Sequence, residues 1–254
     1  MPPGKHEFVN KVIASIEARI GSTRLPGKVL MDVAGAPALT RLLRRLRRAK
    51  RIDGVVLATT DNPRDDALVD WAARENVPCF RGSEDDVLAR VVGAQRMMGA
   101  DVVVEINGDT PLLDPAVIDM GVAAFAEGGS DVVTTTRKRS FPDGVDAQVF
   151  RLKDLEDVAA TVFDPSVREH VSLHFYQTPK RYRVRHLEAP AALRRPDLRL
   201  VLDTAADLRL IRAVYARLAP QFGDAFGTGD VISLVDREPG LLGGGHAGLR
   251  KAGR

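Results

Sequence analysis

The sequence predicts an α/β fold, a three-layer, mostly parallel sheet of the Rossmann-like kind. Three observations predict it. Short apolar runs alternate with longer stretches whose apolar residues recur at helical spacing. Turn residues punctuate the boundaries, and strands of about five or six residues alternating with helices of about ten to fifteen argue for a largely parallel, three-layer sheet. The composition agrees: of 254 residues, 44% are hydrophobic and 28% charged, which excludes a disordered chain, a collagen-like repeat and a coiled coil.

The elements follow in order. Lys11–Ile16 reads as a buried strand, followed by a Gly-, Ser- and Pro-rich loop from Glu17 to Lys28. Leu39, Leu42, Leu43 and Leu46 mark one helix face, with the arginines between Arg41 and Arg51 read as its solvated surface. Gly54–Thr60 is a second strand, and Ala67, Leu68, Trp71 and Ala72 face one side of the next helix. Val77–Arg81 is a third strand. Ser83 reads as the N-cap of a helix presenting Val87, Leu88, Val91, Val92 and Gln95 on one face. Asp101–Ile106 is a fourth strand, Pro115–Glu127 a helix and Asp131–Thr136 a fifth strand.

After Arg137 the rhythm changes. Pro142–Leu152 alternates like a strand, Leu155–Phe163 and Arg168–Tyr176 read as helices, and Tyr182–Leu187 as a strand. This subregion, about residues 137–195, reads as an insertion within one domain spanning 1–254. Leu198–Leu202 returns to a strand, and Leu208, Ile211, Tyr215 and Leu218 mark a last amphipathic helix. From about 238 to 254 the composition turns to Gly, Arg and Lys, a flexible basic tail.

Composition also bounds the partners. Lys and Arg total 37 against 34 acidic residues, a net charge of +3, too small for a nucleic-acid binder. Arginine suits bidentate contact with phosphate or carboxylate, so small anions stay in view. The apolar runs are too short to span a bilayer, and the first residues lack the apolar core of a secretory signal. With one cysteine, Cys79, there is neither an internal disulfide nor a cysteine-rich zinc site, and a cytoplasmic setting is expected. His170 and His174 have the i, i+4 spacing of a zinc pair, without a third ligand in evidence.

Two signals carry chemistry. Arg19-Ile-Gly-Ser-Thr-Arg-Leu-Pro-Gly-Lys28 directly follows the first strand, at the carboxyl edge where open α/β folds bind ligands. Gly21 lets backbone approach an anion, Ser22 and Thr23 add hydroxyls, and Arg19, Arg24 and Lys28 supply three cations. Such a loop can hold a triphosphate and neutralise a leaving pyrophosphate; the plainer alternative is a basic surface loop. Asp109 and Asp203 each follow a predicted strand and emerge at the same edge. Either alone reads as a turn or capping aspartate, but together beside a triphosphate they could hold magnesium through oxygen.

Arg19-x-Gly-Ser-x-Arg-Leu-Pro-x-Lys28 resembles the signature of the cytidylyltransferases that make CMP-activated sugars: the CMP-Kdo and CMP-sialic acid synthetases, and most closely the spore-coat polysaccharide protein F type. The resemblance continues through Ala58-Thr-Thr-Asp-Asn-Pro63, Phe80–Arg90, Gly108-Asp-x-Pro-Leu112, Phe141-Pro-x-Gly-x-Asp146, Arg168-Glu-His-Val171 and Leu202-Asp-Thr204. It covers roughly residues 10–220. It implies that Arg19, Ser22, Arg24 and Lys28 hold the phosphates of CTP, and that Asp109 and Asp203 are the ligands of Mg²⁺, or of Mn²⁺ in its place. It places Arg81, Ser83 and Asp86 near base and ribose, and Asp146, Arg168, Glu169 and His170 on the acceptor side. It further implies that the inserted segment contributes to a homodimer.

The chain departs from the pattern at Asn107-Gly108-Asp109. Kdo synthetases have glutamine before the glycine, and the spore-coat type lacks the glycine, so neither relative's acceptor carries over; Asn107 becomes a hydrogen-bonding candidate for ribose or acceptor. The expected reaction moves CMP from CTP to an acidic sugar, phosphate or phosphonate, with pyrophosphate released, for surface polysaccharide or related biosynthesis. If the attacking atom is a hydroxyl, His170 or Glu169 takes its proton; a phosphate needs no base. The rival readings are a sugar-phosphate nucleotidyltransferase using another nucleotide, with Arg137, Lys138 and Arg139 for the acceptor phosphate, and a non-catalytic nucleotide-binding module.

Overall fold

The computed structural model describes residues 10–242. Both ends of the chain, including most of the predicted basic tail, lie outside the described residues. In chain order β1 (Val12–Glu17) leads to the two-residue strands β2 (Asp32–Val33) and β3 (Ala36–Pro37), then α1 (Ala38–Leu46). β4 (Gly54–Thr60), α2 (Asp66–Arg74), β5 (Cys79–Gly82), α3 (Val87–Met98), β6 (Val102–Asn107) and α4 (Pro115–Ala126) follow. Next come β7 (Val132–Thr134), β8 (Gln148–Arg151), α5 (Leu152–Thr161), α6 (Pro165–Glu169), α7 (Leu173–Gln177) and β9 (Val184–His186). α8 (Ala205–Phe222) and α9 (Thr228–Arg237) close the fold. No helix among the described residues is long and apolar enough to cross a membrane.

The main sheet has the order β5-β4-β1-β6-β8-β7-β9, and only β8 runs against the rest. Alternation along the strands divides the core into two apolar clusters, one on each face. Val12, Ala14 and Ile16 of β1 pack with Leu39, Leu42, Leu43, Trp71, Ile118 and Tyr215, beneath α1, α2, α4 and α8. Ile13 and Val103 pack with Leu88, Val91, Leu155 and Phe175, beneath α3, α5 and α7. Helices cover both faces, which is the predicted three-layer arrangement.

The segment 137–195, read as an insertion, also builds the sheet: β8 and β9 come from it, and β8 lies between β6 and β7. Four expectations need correction. Leu198–Leu202 is not a strand of the sheet but an extended stretch with one isolated bridge, Arg199 to Asp143. Its backbone is satisfied elsewhere, Leu200 N donating to Asp143 O at 2.7 Å and Leu202 N to Asp109 O at 2.8 Å. The helix read over Arg168–Tyr176 is broken into α6 and α7, with His170 as the extended C-cap of the first, so His170 and His174 do not share a helix face. The arginines of α1 are not all solvated: Arg41 and Arg45 are buried. Arg45 donates to the carbonyls of Leu113 at 2.6 Å and Phe226 at 2.8 Å, and Arg41 pairs with Asp224 at 3.0 Å. Finally, the start of the predicted tail is docked, Pro239–Leu242 forming a short turn with Leu241 and Leu242 against the core.

Candidate active site

β1 ends at Glu17, and the basic loop turns across the carboxyl edge of the sheet. Its backbone closes on itself: Ser22 N and Gly27 N both donate to Ile20 O, at 2.7 and 3.1 Å. Ile20 N in turn donates to Asp65 Oδ1 at 2.7 Å. Asp65 is buried in the turn after β4, and its other oxygen accepts the Thr60 hydroxyl. A buried aspartate from the neighbouring strand end therefore clamps the loop, which frames a cleft of about 880 Å³.

The cleft gathers Arg19, Gly21, Ser22, Arg24, Lys28, Asn107, Gly108, Asp109, Glu169, His170 and Asp203, all residues the sequence proposes for the site. At its centre Lys28 Nζ lies 2.6 Å from Asp109 Oδ2 and 2.6 Å from Asp203 Oδ1. Asp203 also receives Arg24 at 2.9 Å and the Arg199 guanidinium. Burial pushes the Asp203 carboxyl up, but Lys28, Arg199 and Arg24 together hold it below its ordinary value. Arg199 reaches Asp207 at 3.1 Å as well, and Asp207 caps α8 by accepting from the backbone of Asp203 and Thr204 at 3.0 and 2.7 Å. Asp203 is thus fixed by a helix cap on its own chain and by the bond from Leu202 to Asp109, without a strand beneath it.

Asp109 is set by a close backbone approach. Gly108 N donates to Glu17 O at 2.8 Å, and a Cβ at Gly108 would lie 2.8 Å from that same oxygen and 2.9 Å from Ala18 Cβ. Only glycine lets β6 hand over to its turn so near the end of β1.

Beside this charged centre lies an acid pair that sequence reasoning missed. Glu17 and Glu105 stand on adjacent strands of the same sheet face, and each has a buried oxygen without a partner. Burial pushes the Glu17 carboxyl up to about 8, with Arg90 opposing and Asp109 adding to the rise. Glu105 is raised well above its ordinary value by burial and then by Glu17. Glu17 and Arg90 both line the cleft. The sequence signals were Glu17 at the tip of an apolar strand, which reads equally as a solvated end, and Glu105 inside the apolar run of β6.

Five proposed residues do not line the cleft. Arg81 is tied to the turn after β4, donating to Thr60 O at 2.9 Å and Asn62 O at 3.0 Å and pairing with Asp66 at 2.8 Å. Ser83 is not the cap of α3; Asp86 is, accepting from Ala89 N at 2.9 Å, while Ser83 Oγ accepts from Asp86 N at 3.1 Å. Arg168 pairs with Asp86 at 3.0 Å and donates to Ala159 O at 2.8 Å, bracing α6 on α3 and α5. Asp146 pairs with Arg139 at 3.0 Å and accepts from Gly144 N at 3.2 Å. In place of these, Glu84 and Asp85 from the turn before α3, Val87 at its start and Pro165 from α6 form the walls. Glu84 meets Arg19 at 3.5 Å and Arg64 at 3.3 Å, and the Asn62 amide leads the influences that lower its carboxyl.

Comparison with known proteins agrees with this architecture. Residues 13–221 match the family model described as cytidylyltransferase. Spore coat polysaccharide biosynthesis protein SpsF of Bacillus subtilis (strain 168) is 34% identical over 236 residues, covering 91% of this chain and 96% of that protein. The 3-deoxy-manno-octulosonate cytidylyltransferase of Geobacter sulfurreducens is 36% identical over 129 residues, half of each chain. A solved cytidylyltransferase from Leptospira borgpetersenii superposes with a TM-score of 0.86 at 28% identity, over 92% of this chain and 97% of that one. A strand-end cationic loop facing two aspartates, on a chain matched by these proteins along most of its length, makes this protein a nucleotidyltransferase of the cytidylyltransferase family.

Proposed function

We propose that the protein transfers CMP from CTP to an acidic sugar or to a phosphate- or phosphonate-bearing acceptor and releases pyrophosphate. The observation that carries the proposal is the juxtaposition of Lys28 with Asp109 and Asp203 in a cleft edged by Arg19 and Arg24. Three cations on one loop suit a triphosphate, and they lie where a departing pyrophosphate would need charge compensation.

The residues also fit a divalent cation. Two hard carboxylates already share one positive charge, that of Lys28. Among the described residues no group of three or more His, Cys, Asp or Glu could hold a metal alone, so phosphate oxygens and water would complete an octahedron around Mg²⁺ or Mn²⁺. When bound, such an ion polarises the phosphate under attack and screens charge on the leaving group. The protein's own part is positioning: Arg19, Arg24 and Lys28 orient the triphosphate, and the backbone at Gly21 and Ser22 approaches it. His170 and Glu169 line the α6 side of the cleft, which supports a role for one of them in taking the proton of a hydroxyl acceptor.

A pyrophosphate-release screen tests this. Each of the four ribonucleoside triphosphates is combined with acidic sugars, sugar phosphates and phosphonates, using wild type, Lys28→Ala and Asp109→Asn. CTP-selective release that falls at least about tenfold in both variants is expected, since a lost charge-assisted contact costs about 1.5–3 kcal/mol. Release with another nucleotide alone, or full activity in either variant, would overturn the proposal.

A further inference from the structure

The positions of Lys28, Arg24 and Arg19 carry a consequence for how metal reaches the site. Each loop cation is already paired with a carboxylate: Arg19 with Glu84, Arg24 with Asp203, and Lys28 with both Asp109 and Asp203. The Lys28 ammonium lies between the two carboxylates that would bind a divalent ion, in contact with one oxygen of each. A lysine ammonium and a metal ion cannot share that space, and their charges repel. Asp203 is further held in place by Arg199 and is only 11% exposed at its side chain, so the two loop cations Lys28 and Arg24 compete with any metal for it.

We propose that Lys28 acts as a resident counter-ion that blocks metal binding at Asp109 and Asp203 until a nucleoside triphosphate draws it away. The inference rests on the reading of this cleft as the triphosphate and metal site. A triphosphate carries about four negative charges, more than enough to attract Lys28 and Arg24 from Asp203. Their departure leaves two carboxylates facing each other in a partly buried cleft, and a divalent cation restores the balance. The device couples the two ligands: each raises the affinity of the other by the same factor. It also keeps the protein from taking up metal when no nucleotide is present. Arg199 is outside the exchange: it shares Asp203 Oδ2 with Arg24, but Asp207, Asp143 and the Val201 carbonyl also hold it.

Mn²⁺ binding, read by electron paramagnetic resonance of the free ion, tests the proposal without turnover. Wild type, Lys28→Met and Lys28→Gln are titrated with Mn²⁺ alone and with a CTP analogue carrying a methylene bridge between the α and β phosphorus atoms. Expected are weak binding to wild type alone, binding at least tenfold tighter to either Lys28 variant, and loss of that gain in Lys28→Met/Asp109→Asn. The analogue should tighten Mn²⁺ binding to wild type far more than to the variants. Equal affinity of wild type and variants for Mn²⁺ alone would overturn the proposal while leaving the site in place. If wild type fails to bind Mn²⁺ even with the analogue, the reading of the site fails and takes the proposal with it. Should one Lys28 variant not fold, the other and the wild-type response to the analogue still decide the matter.

Discussion

Replacing Glu17 by glutamine should change how stability depends on pH, with a definite sign. In the folded protein burial raises this carboxyl to about 8, while an unfolded chain returns it to 4.5. Between those values the unfolded state releases a proton that the folded state keeps, so stability falls as pH rises. The loss is at most about 1.4 kcal/mol for each pH unit. From pH 4.5 to 7.5 the ceiling is about 4 kcal/mol, and partial contact with the cleft and sharing with Glu105 reduce it to about 2 kcal/mol. Glutamine keeps the shape and cannot ionise. Its advantage over wild type should therefore be smallest below pH 4.5, grow through neutrality and level off above about 8. For a domain of this size about 2 kcal/mol corresponds to roughly 4–8 °C in Tm. Urea unfolding followed by the fluorescence of Trp71, the only tryptophan, measures the difference at each pH. Unfolding curves that differ by a constant amount across pH 5–8, or a gap that closes as pH rises, would refute the assignment of Glu17 as a proton-holding buried acid.

Three other perturbations follow from the geometry. Gly108→Ala forces a methyl against Glu17 O and Ala18 and should cost about 1–3 kcal/mol in thermal unfolding while lowering kcat by displacing Asp109; unchanged behaviour in both would contradict the close approach. Arg199→Ala removes a partner of Asp203 and Asp207 and should raise the Mg²⁺ concentration needed for half-maximal turnover, with partial rescue by Arg199→Lys; an unaltered metal requirement would exclude a positioning role. Asp86→Ala loses both the α3 cap and the bond to Arg168 and should destabilise by about 1–2 kcal/mol, whereas Asp86→Asn keeps a capping oxygen and should cost less. Equal losses in the two would place the effect on charge alone.

The fold was legible where local pattern and tertiary role coincide. β4 runs over Gly54–Thr60 as its apolar pattern predicts, and Leu39, Leu42, Leu43 and Leu46 are all fully buried on α1. The same helix shows the limit. Arg41 and Arg45 lie among the exposed arginines of the same helix, and partners distant in sequence, the carbonyls of Leu113 and Phe226 and the Asp224 carboxylate, hold them in the interior. α9 escaped notice because its N-cap is Gly227, which offers no side-chain signal; Asp230 satisfies that backbone N–H from within the helix at 2.8 Å. Asp65 is likewise one of several acidic residues in its turn, and its clamp on Ile20 exists only in three dimensions. Asp203 is the opposite case: the element beneath it was misread, yet its location was right, because the Leu202–Asp109 backbone bond fixes that edge as a strand would.

Asp86 and Arg168, which the resemblance assigns to the nucleotide and acceptor sides, are joined directly in the structure. The turn before α3 supplies Glu84 and Asp85 and the first turn of α3 supplies Val87 and Arg90 to one side of the cleft, while Pro165 and Glu169 of α6 and its C-cap His170 form another. Between these groups runs the Arg168–Asp86 ion pair, with the arginine side chain 19% and the aspartate side chain 26% exposed. Two partly desolvated charges joined across helices, one of them also the N-cap of α3, set the separation of the walls more firmly than a surface pair would. Arg168 also donates to Ala159 at the end of α5. The segment bearing Glu169 and His170 therefore loses the Arg168–Asp86 pair if it shifts relative to α3, and the bond to Ala159 if it shifts relative to α5. If the cleft takes an acceptor as proposed, a substitution at Arg168 should disturb nucleotide and acceptor use together, because it frees both walls at once.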